Sequence, residues 1–367
     1  MNPSSAPKAQ ATQKKSFIQR AFPVPKSLIL SNMAIDTTDD KLRFFELSHN
    51  RGTISPKAHG SIPFPHIHLG SLNEKSRLEA VTALSAWAAS QKCTNARLVI
   101  HEGEAYVFKV SIPTVNHTEM RAAIEGILEE NVPVHPSEAV FEFDVISKDT
   151  ATGTSIVAVS VLSKRPTGEI IDLFNESGIE IISVETEARA LARSLFTKDD
   201  TDVHAVISIN EHHSVVFIVE KGAVIFSSAL EVGSADLDKA IAKEFGITEA
   251  AAHELKLEKA FTDGDGDMKI FAAMAPVFSI IQDELGKMLV YWRTQNKKNN
   301  QVREIKNIVL SGGDTLIAGF SRYISNDAKI PTKIGSVWTN ILSVEETVPD
   351  ILHRDSFEYG TVIGALL

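Results

Sequence analysis

Apolar and polar positions along this chain switch between period-two runs and runs at helical spacing, in the order of a mixed α/β protein. "MAIDTTDDKLRFFELS", residues 33–48, reads as a strand ending at Asp36, a tight polar turn, and a returning strand. In that second strand Leu42, Phe44 and Leu47 alternate imperfectly with polar positions. "KSRLEAVTALSAWAASQ", residues 75–91, places Leu78, Val81, Leu84 and Ala88 on one helical face. Strands follow at "ARLVIHEG" and "AYVFKVSIP". Asn116 with Glu119 resembles a capping box, and Met120, Ala123, Ile124, Ile127 and Leu128 then keep helical spacing until "NVPVHP". "EAVFEFDVI" alternates, "TSIVAVSVL" reads as a buried strand, Pro166 opens a helix that Gly178 closes, and "IEIISV" is a last strand. That order predicts a small α/β module over 105–184, with the helix "ETEARALARSLF" leading out of it.

The pattern then begins again. "HAVISINEHHSVVFIVEKGAVIFSSALEVG" gives three successive strands with a turn at Asn210–His213, followed by the helix "SADLDKAIAKEF" and Gly246. "AIDTTDDKLRFFEL" can be laid on "VISINEHHSVVFIV", so a strand-turn-strand element recurs in the two halves, as in a duplicated fold with a cleft between lobes. "REIKNIVLSGGDTLIAGFSRYIS" adds a strand, a Gly312–Gly313 turn and a helix, the form in which actin-like and sugar-kinase-like proteins approach an adenosine. At the other end, residues 1–15 have nothing to bury and read as a disordered tail; Phe17, Ile18, Phe22 and Leu28 then mark an arm packed on the domain or a docking segment.

Composition narrows the function classes. At 367 residues and 43% apolar content the chain can bury a large core in two or more subdomains. A net charge of -10 offers no diffuse attraction to nucleic acid or anionic lipid, and no large basic patch stands out. One cysteine, Cys93, excludes an internal disulfide and a cysteine-based zinc site. Apolar runs such as "FAAMAPVFSII" fall short of the roughly 20 residues needed to span a bilayer, and the N-terminus lacks a secretion signal. The expectation is a soluble, cytoplasmic protein.

Several segments match one family in order and spacing: "IPTVNHTEMRAAIEGILEENVPVHPSEAVFEFDVI", "EVGSADLDKAIAKEFGITEAAAHELKLEKAF", "ELGKMLVYWRTQ" and "IVLSGGDTLIAGFSRYI". From about residue 17 to the end the chain resembles the PilM family of type IV pilus assembly proteins. The resemblance implies an actin-like ATPase fold, two-lobed and duplicated, related to that of FtsA. It implies subdomain 1A at 16–104 and 185–202, an inserted 1C subdomain at 105–184, 2A at 203–246, 2B with a connecting helix at 247–303, and a return through 2A to 1A at 304–367. It also implies a cytoplasmic protein peripheral to the inner membrane. There it would bind the N-terminal cytoplasmic segment of a PilN-like membrane protein, in or beside the groove between 1A and 1C, and connect to the pilus motor and other inner-membrane assembly proteins. A homo-oligomer stays open; nucleic acid is not an expected partner.

The cofactor implied by such a fold is ATP with Mg. The family's first phosphate loop has a strand-end aspartate, then glycine, small hydroxyl residues and a lysine. Here Asp36 is kept as the magnesium acid, Arg43 takes the basic position, Thr38 stands for glycine, and Asp39 and Asp40 replace hydroxyls. Forcing a β-branched residue into a glycine turn costs about 1–3 kcal/mol. An aspartate about 4 Å from a phosphate is opposed by roughly 4 kcal/mol at an effective dielectric near 20, a penalty that shrinks if both aspartates point to solvent. In the second loop Ser208 and Asn210 stand for aspartate and glycine, with His212 and His213 in hydroxyl positions. Gly312, Gly313 and Asp314 retain the adenosine turn, although a Gly-Gly turn also serves close packing. Glu185 or Glu187 could polarise an attacking water, or Glu187 could simply favour its helix N-terminus. The expectation is a scaffold with a degenerate nucleotide site; an active ATPase switch, and an FtsA-like division or type II secretion adaptor, are the alternatives.

Other constellations read as structure. "DGDGD" at 263–267 lacks the glutamate of a calcium loop, "HIH" at 66–68 lacks partners for zinc, and "NKKNN" at 296–300 is a solvated loop. Trp292 and Tyr291 read as core, and "YGTVIGALL" as a core helix.

Overall fold

The computed structural model describes residues 33–50, 53–64, 73–149, 151–261, 267–298, 303–342 and 349–367. The tail, the Phe17–Leu28 arm, the 66–68 histidines, most of the 263–267 aspartates and residues 299–300 lie outside the described residues, and 296–298, expected as loop, instead end a helix.

Two five-stranded sheets repeat one plan. In the first, β1 (Met33–Asp36), β2 (Lys41–Asn50) and β3 (Thr53–Pro63) form an antiparallel meander, and β4 (Asn95–Ile100) and β8 (Glu180–Thr186) extend it in parallel, in the order β3-β2-β1-β4-β8. In the second, β9 (Val203–Ile209), β10 (Ser214–Glu220) and β11 (Ala223–Leu230) are joined by β12 (Ile305–Ser311) and β13 (Thr332–Ile334), in the order β11-β10-β9-β12-β13. Asp36 pairs with Arg43 and Val99; Ser208 pairs with Val215 and Ser311. The register therefore places Ser208 where Asp36 stands, as the overlay of the two hairpins expects.

The two lobes share a core. Helices α5 (Glu187–Leu195) and α11 (Gly360–Ala365) lie between the sheets, and one apolar cluster joins Ala34, Phe45 and Val99 of the first sheet to Val206, Phe217 and Val309 of the second. On β9 and β10 the neighbouring positions Ala205, Ile207, Val216 and Ile218 face the opposite way, into a cluster with α8 (Asp267–Lys298). Cover on both faces is why these strands read as continuous β-branched runs. Trp292 of α8 is buried, and its indole donates to the Arg303 carbonyl at 2.9 Å. The remaining second-lobe helices are α6 (Ser234–Phe245), α7 (Glu249–Lys259) and α9 (Phe320–Ala328), followed by the single turn α10 (His353–Ser356). No helix among the described residues is long and apolar enough to cross a membrane.

The inserted module holds β5 (Ala105–Pro113), α2 (His117–Glu125), α3 (Leu128–Asn131), β6 (Ala139–Asp149) and β7 (Thr154–Ser163), with its sheet ordered β5-β7-β6. Asn116 caps α2 by accepting the Glu119 N–H at 3.0 Å. Two expectations need correction. The "IEIISV" strand is β8, which pairs with β4 and not within the module, and α4 (Lys164–Glu176) buries Ile170, Leu173 and Phe174 against Leu84 and Trp87 of the first lobe. Strand partners are set by such distant apolar contacts, which linear order does not reveal. In α1 (Glu74–Gln91) the buried stripe is Ala80, Leu84, Trp87 and Ala88, while Leu78 is 67% exposed.

The α5–α11 crossing depends on Gly364, where an added Cβ would lie 1.7 Å from the Ala190 carbonyl oxygen. Gly364→Val is expected to lower stability by about 3 kcal/mol, in the range of overpacked cores. Gly168→Ala, in α4 with nothing within 4 Å of the new methyl, is expected to raise it by about 0.5–1 kcal/mol. Urea midpoints for the two variants check both signs.

Candidate functional site

β1 ends at Asp36, which is buried beside Arg43. One carboxylate oxygen accepts the Thr38 N–H at 2.8 Å and its hydroxyl at 2.6 Å; the other accepts the hydroxyl of Thr361, at the start of α11. Burial pushes the Asp36 carboxyl up, aided by the charge of Glu187 and opposed by Arg43 and the two threonines. Thr38, in the glycine position, thus turns its side chain inward to hold Asp36.

The two aspartates of the turn diverge. Asp39 is fully buried and points into the cleft, whereas Asp40 is exposed. The Asp39 carboxylate accepts Arg43 Nη2 at 2.7 Å and, from the other lobe, the backbone N–H groups of Glu211 at 3.4 Å and His212 at 3.2 Å. His213 Nδ1 lies 3.3 Å from its Oδ1. Burial alone would raise this carboxyl, but His213 and Arg43 outweigh it and hold it well below the usual carboxylate range. Arg43, at the family's basic position, is spent inside the protein on Asp39 and, at 3.7 Å, Glu358.

Behind this contact sits α5. Glu187, at its N-terminus, lies 2.8 Å from His213 Nε2, accepts Asn210 Nδ2 at 3.2 Å, and accepts the Glu102 N–H at 3.0 Å. Glu102 returns the bond by accepting the Ala188 N–H at 2.9 Å. Burial works against charge on His213, yet Glu187 and Asp39 push its pKa up to about 10. Glu187 is thereby engaged on both oxygens, and Glu185 pairs with Arg193, so neither is aimed at an open water position. His101, Glu187 and His213 bring ligand-type atoms within 4.8 Å of one another. However, His101 Nδ1 accepts the Gly103 N–H, which leaves the ring proton on Nε2 and disfavours a metal there.

The adenosine side differs. Gly312 adopts φ +90, and a Cβ there would meet the Ile209 carbonyl oxygen at 2.2 Å, so the β12 turn needs glycine for backbone contact alone. Gly313 faces a cavity of about 540 Å3 between α6, α7 and the turn. Seven carboxylates line that cavity against three full cations, Lys41, Arg43 and Arg354. Asp314 accepts Lys256 Nζ at 2.7 Å; this fully buried lysine also meets Asp238 at 2.8 Å and Ser234 Oγ at 2.7 Å.

Of the residues named from the sequence, Arg43, Asn210, Gly313 and Asp314 line this cavity, while Asp36, Thr38 and Ser208 are buried in the turns and strands beside it and Gly312 packs on the Ile209 carbonyl. Sequence reasoning missed Thr361, Glu102, His101 and Lys256. Their partners are far along the chain, and each residue type is unremarkable where it stands.

His213 generates a pH prediction. Its folded pKa of about 10 exceeds the ordinary 6.5, so its share of stability is whole below pH 6.5 and lost as pH rises through about 10. The groups facing it are Asp39, Glu187, His101 and Asn210. Urea midpoints of the wild type are expected to fall across that window. His213→Gln, which strands two buried carboxylates, should cost about 3–5 kcal/mol at pH 6 and show a flatter profile. Parallel profiles for the two proteins would contradict the assignment.

The sequence profile of the family described as type IV pilus assembly protein PilM matches residues 34–367. No curated protein matches the chain. Among solved structures, a "PilM-PilN type IV pilus biogenesis complex" superposes with a TM-score of 0.69 at 17% identity, covering 91% of this chain and 97% of that one. MreB5 of Spiroplasma citri bound to ADP superposes with a TM-score of 0.51 at 13% identity, covering 90% and 94%. The fold is the actin-like ATPase fold, and over nearly its whole length the chain belongs to the type IV pilus assembly protein PilM family.

Proposed function

We propose that this protein is a scaffold of type IV pilus assembly that docks a PilN-like membrane protein and whose interlobe cleft no longer cycles ATP. Family membership and the similarity to a PilM–PilN complex support the partner. On this reading the protein works at the cytoplasmic face of the inner membrane, held there through its partner. A short extended segment of that partner would bury apolar side chains in a groove beside the inserted module.

The observation that carries the loss of nucleotide cycling is the register of β9. Ser208 stands where the second metal-directed acid would be, so one acid remains, and Asp36 already has both oxygens engaged by Thr38 and Thr361. Magnesium favours carboxylates with free oxygens, waters and phosphates in an octahedral shell. On this reading a metal-bound triphosphate would have Asp36 alone as its carboxylate and would meet the buried Asp39 across the cleft. An ATP-binding switch is the second reading, favoured by the open cavity beside Gly313.

Two titrations decide. A synthetic peptide of the cytoplasmic N-terminal segment of the PilN-like protein is expected to bind the purified chain saturably in calorimetry, and no binding would undo the partner. Titration with ATP and magnesium is expected to give no saturable heat; micromolar affinity with slow turnover would establish the switch instead.

A further inference from the structure

We propose that the two former phosphate loops have become a clasp in which Asp39 substitutes for a nucleotide phosphate, occupying an oxyanion cradle of the opposite lobe and holding the cleft closed without ligand. This rests on the reading that the cleft has stopped cycling nucleotide, and it adds what took the phosphate's place.

The loops meet residue for residue. Asp39 faces His213 at 3.3 Å, Asp40 faces His212 at 3.3 Å, and Lys41 faces Glu211 at 2.5 Å. In the hairpin overlay Asp39, Asp40 and Lys41 correspond to Glu211, His212 and His213, and the strand register supports that correspondence. Under the pseudo-two-fold relation between the lobes the Asp39–His213 and Lys41–Glu211 pairs therefore exchange and the middle pair, Asp40–His212, maps onto itself, as contacts in a symmetric dimer do. One acidic and one basic end on each loop make the pairing complementary in sign.

The central element is an anion site already holding its anion. Consecutive N–H groups of Glu211 and His212 converge on the Asp39 carboxylate, with His213 and Arg43 supplying positive charge. Successive backbone amides in a turn form the concavity that binds phosphate elsewhere. A carboxylate offers the same charge sign and acceptor geometry as a phosphate oxygen pair. The His213 and Asp39 side chains are 2% and 0% exposed, so this pair is shielded, whereas the other two pairs are 37–59% exposed and contribute little. A phosphate-bearing ligand must displace Asp39 to reach those amides.

The test uses the full chain and inorganic pyrophosphate, with sodium chloride at matched ionic strength as control. Asp39→Ala is expected to melt at lower temperature than the wild type and to be restored by pyrophosphate but not by chloride. It should bind pyrophosphate at least about tenfold more tightly than the wild type. Asp39→Asn, which keeps the shape and loses the charge, should fall between the two. Should Asp39→Ala lack a cooperative transition, Asp39→Asn carries the pyrophosphate measurement. In ligand-free wild type the Glu211 and His212 amides are expected to exchange hydrogen slowly; exchange at the rate of an open loop overturns the clasp. So does a variant destabilised but indifferent to pyrophosphate, or a wild type that binds it equally well. Peptide binding separates the two readings: lost pyrophosphate rescue with peptide binding intact removes the clasp and leaves the scaffold, and the reverse result removes the scaffold alone.

Discussion

A carboxylate taken wholly out of water must be met by positive charge and hydrogen-bond donors, and in this protein the donors that meet Asp39 belong to both lobes. Arg43 comes from its own hairpin; the Glu211 and His212 amides and His213 come from the other. Separating the lobes would strand that charge, together with an imidazolium and Glu187 behind it. Loss of one partner in such a set is far more costly than the net worth of the intact set suggests. The consequence is a cleft whose geometry is defined by the chain itself.

The backbone around the clasp supports the same arrangement. Helices α5 and α11 fill the space between the sheets, and α5 places Glu187 at its N-terminus while α11 places Thr361 against Asp36. Close approach at Gly364 and Gly312 fixes how near these elements come, because a side chain at either would overlap a carbonyl. Packing therefore positions the polar network, and the network in turn has few alternative partners. For the proposed docking role, such definition would lower the ordering that opposes peptide binding.

Much of this was legible in the sequence, and what was not has a common cause. The duplicated hairpins overlay in the right register because strand alternation is a local signal, and that overlay locates Ser208 and Asn210, while the family resemblance marks them and Thr38 as altered. The direction of Asp39 could not be read, because the amides that draw it inward lie 172 and 173 positions away. Thr361 is 325 positions from Asp36, and β8 was misplaced because its partner β4 lies beyond the whole inserted module. The spacing points Leu78 inward, but α4, which covers α1 and sets its buried face, returns only after the module.

The surviving parts of the nucleotide motif also follow a physical rule. Gly312 is required by its contact with the Ile209 carbonyl whether or not an adenosine is present, and Asp314 neutralises Lys256, which would otherwise be a buried charge with Asp238 alone. Asp36 likewise has work to do inside the protein, accepting from Thr38 and Thr361. By contrast, the positions that depart from the family pattern, Thr38, Asp39, Ser208 and Asn210, sit in and beside the two hairpin turns that meet across the cleft. A Gly-Gly turn is thus weak testimony for nucleotide binding in this fold, because contact between backbones requires Gly312 with or without a ligand.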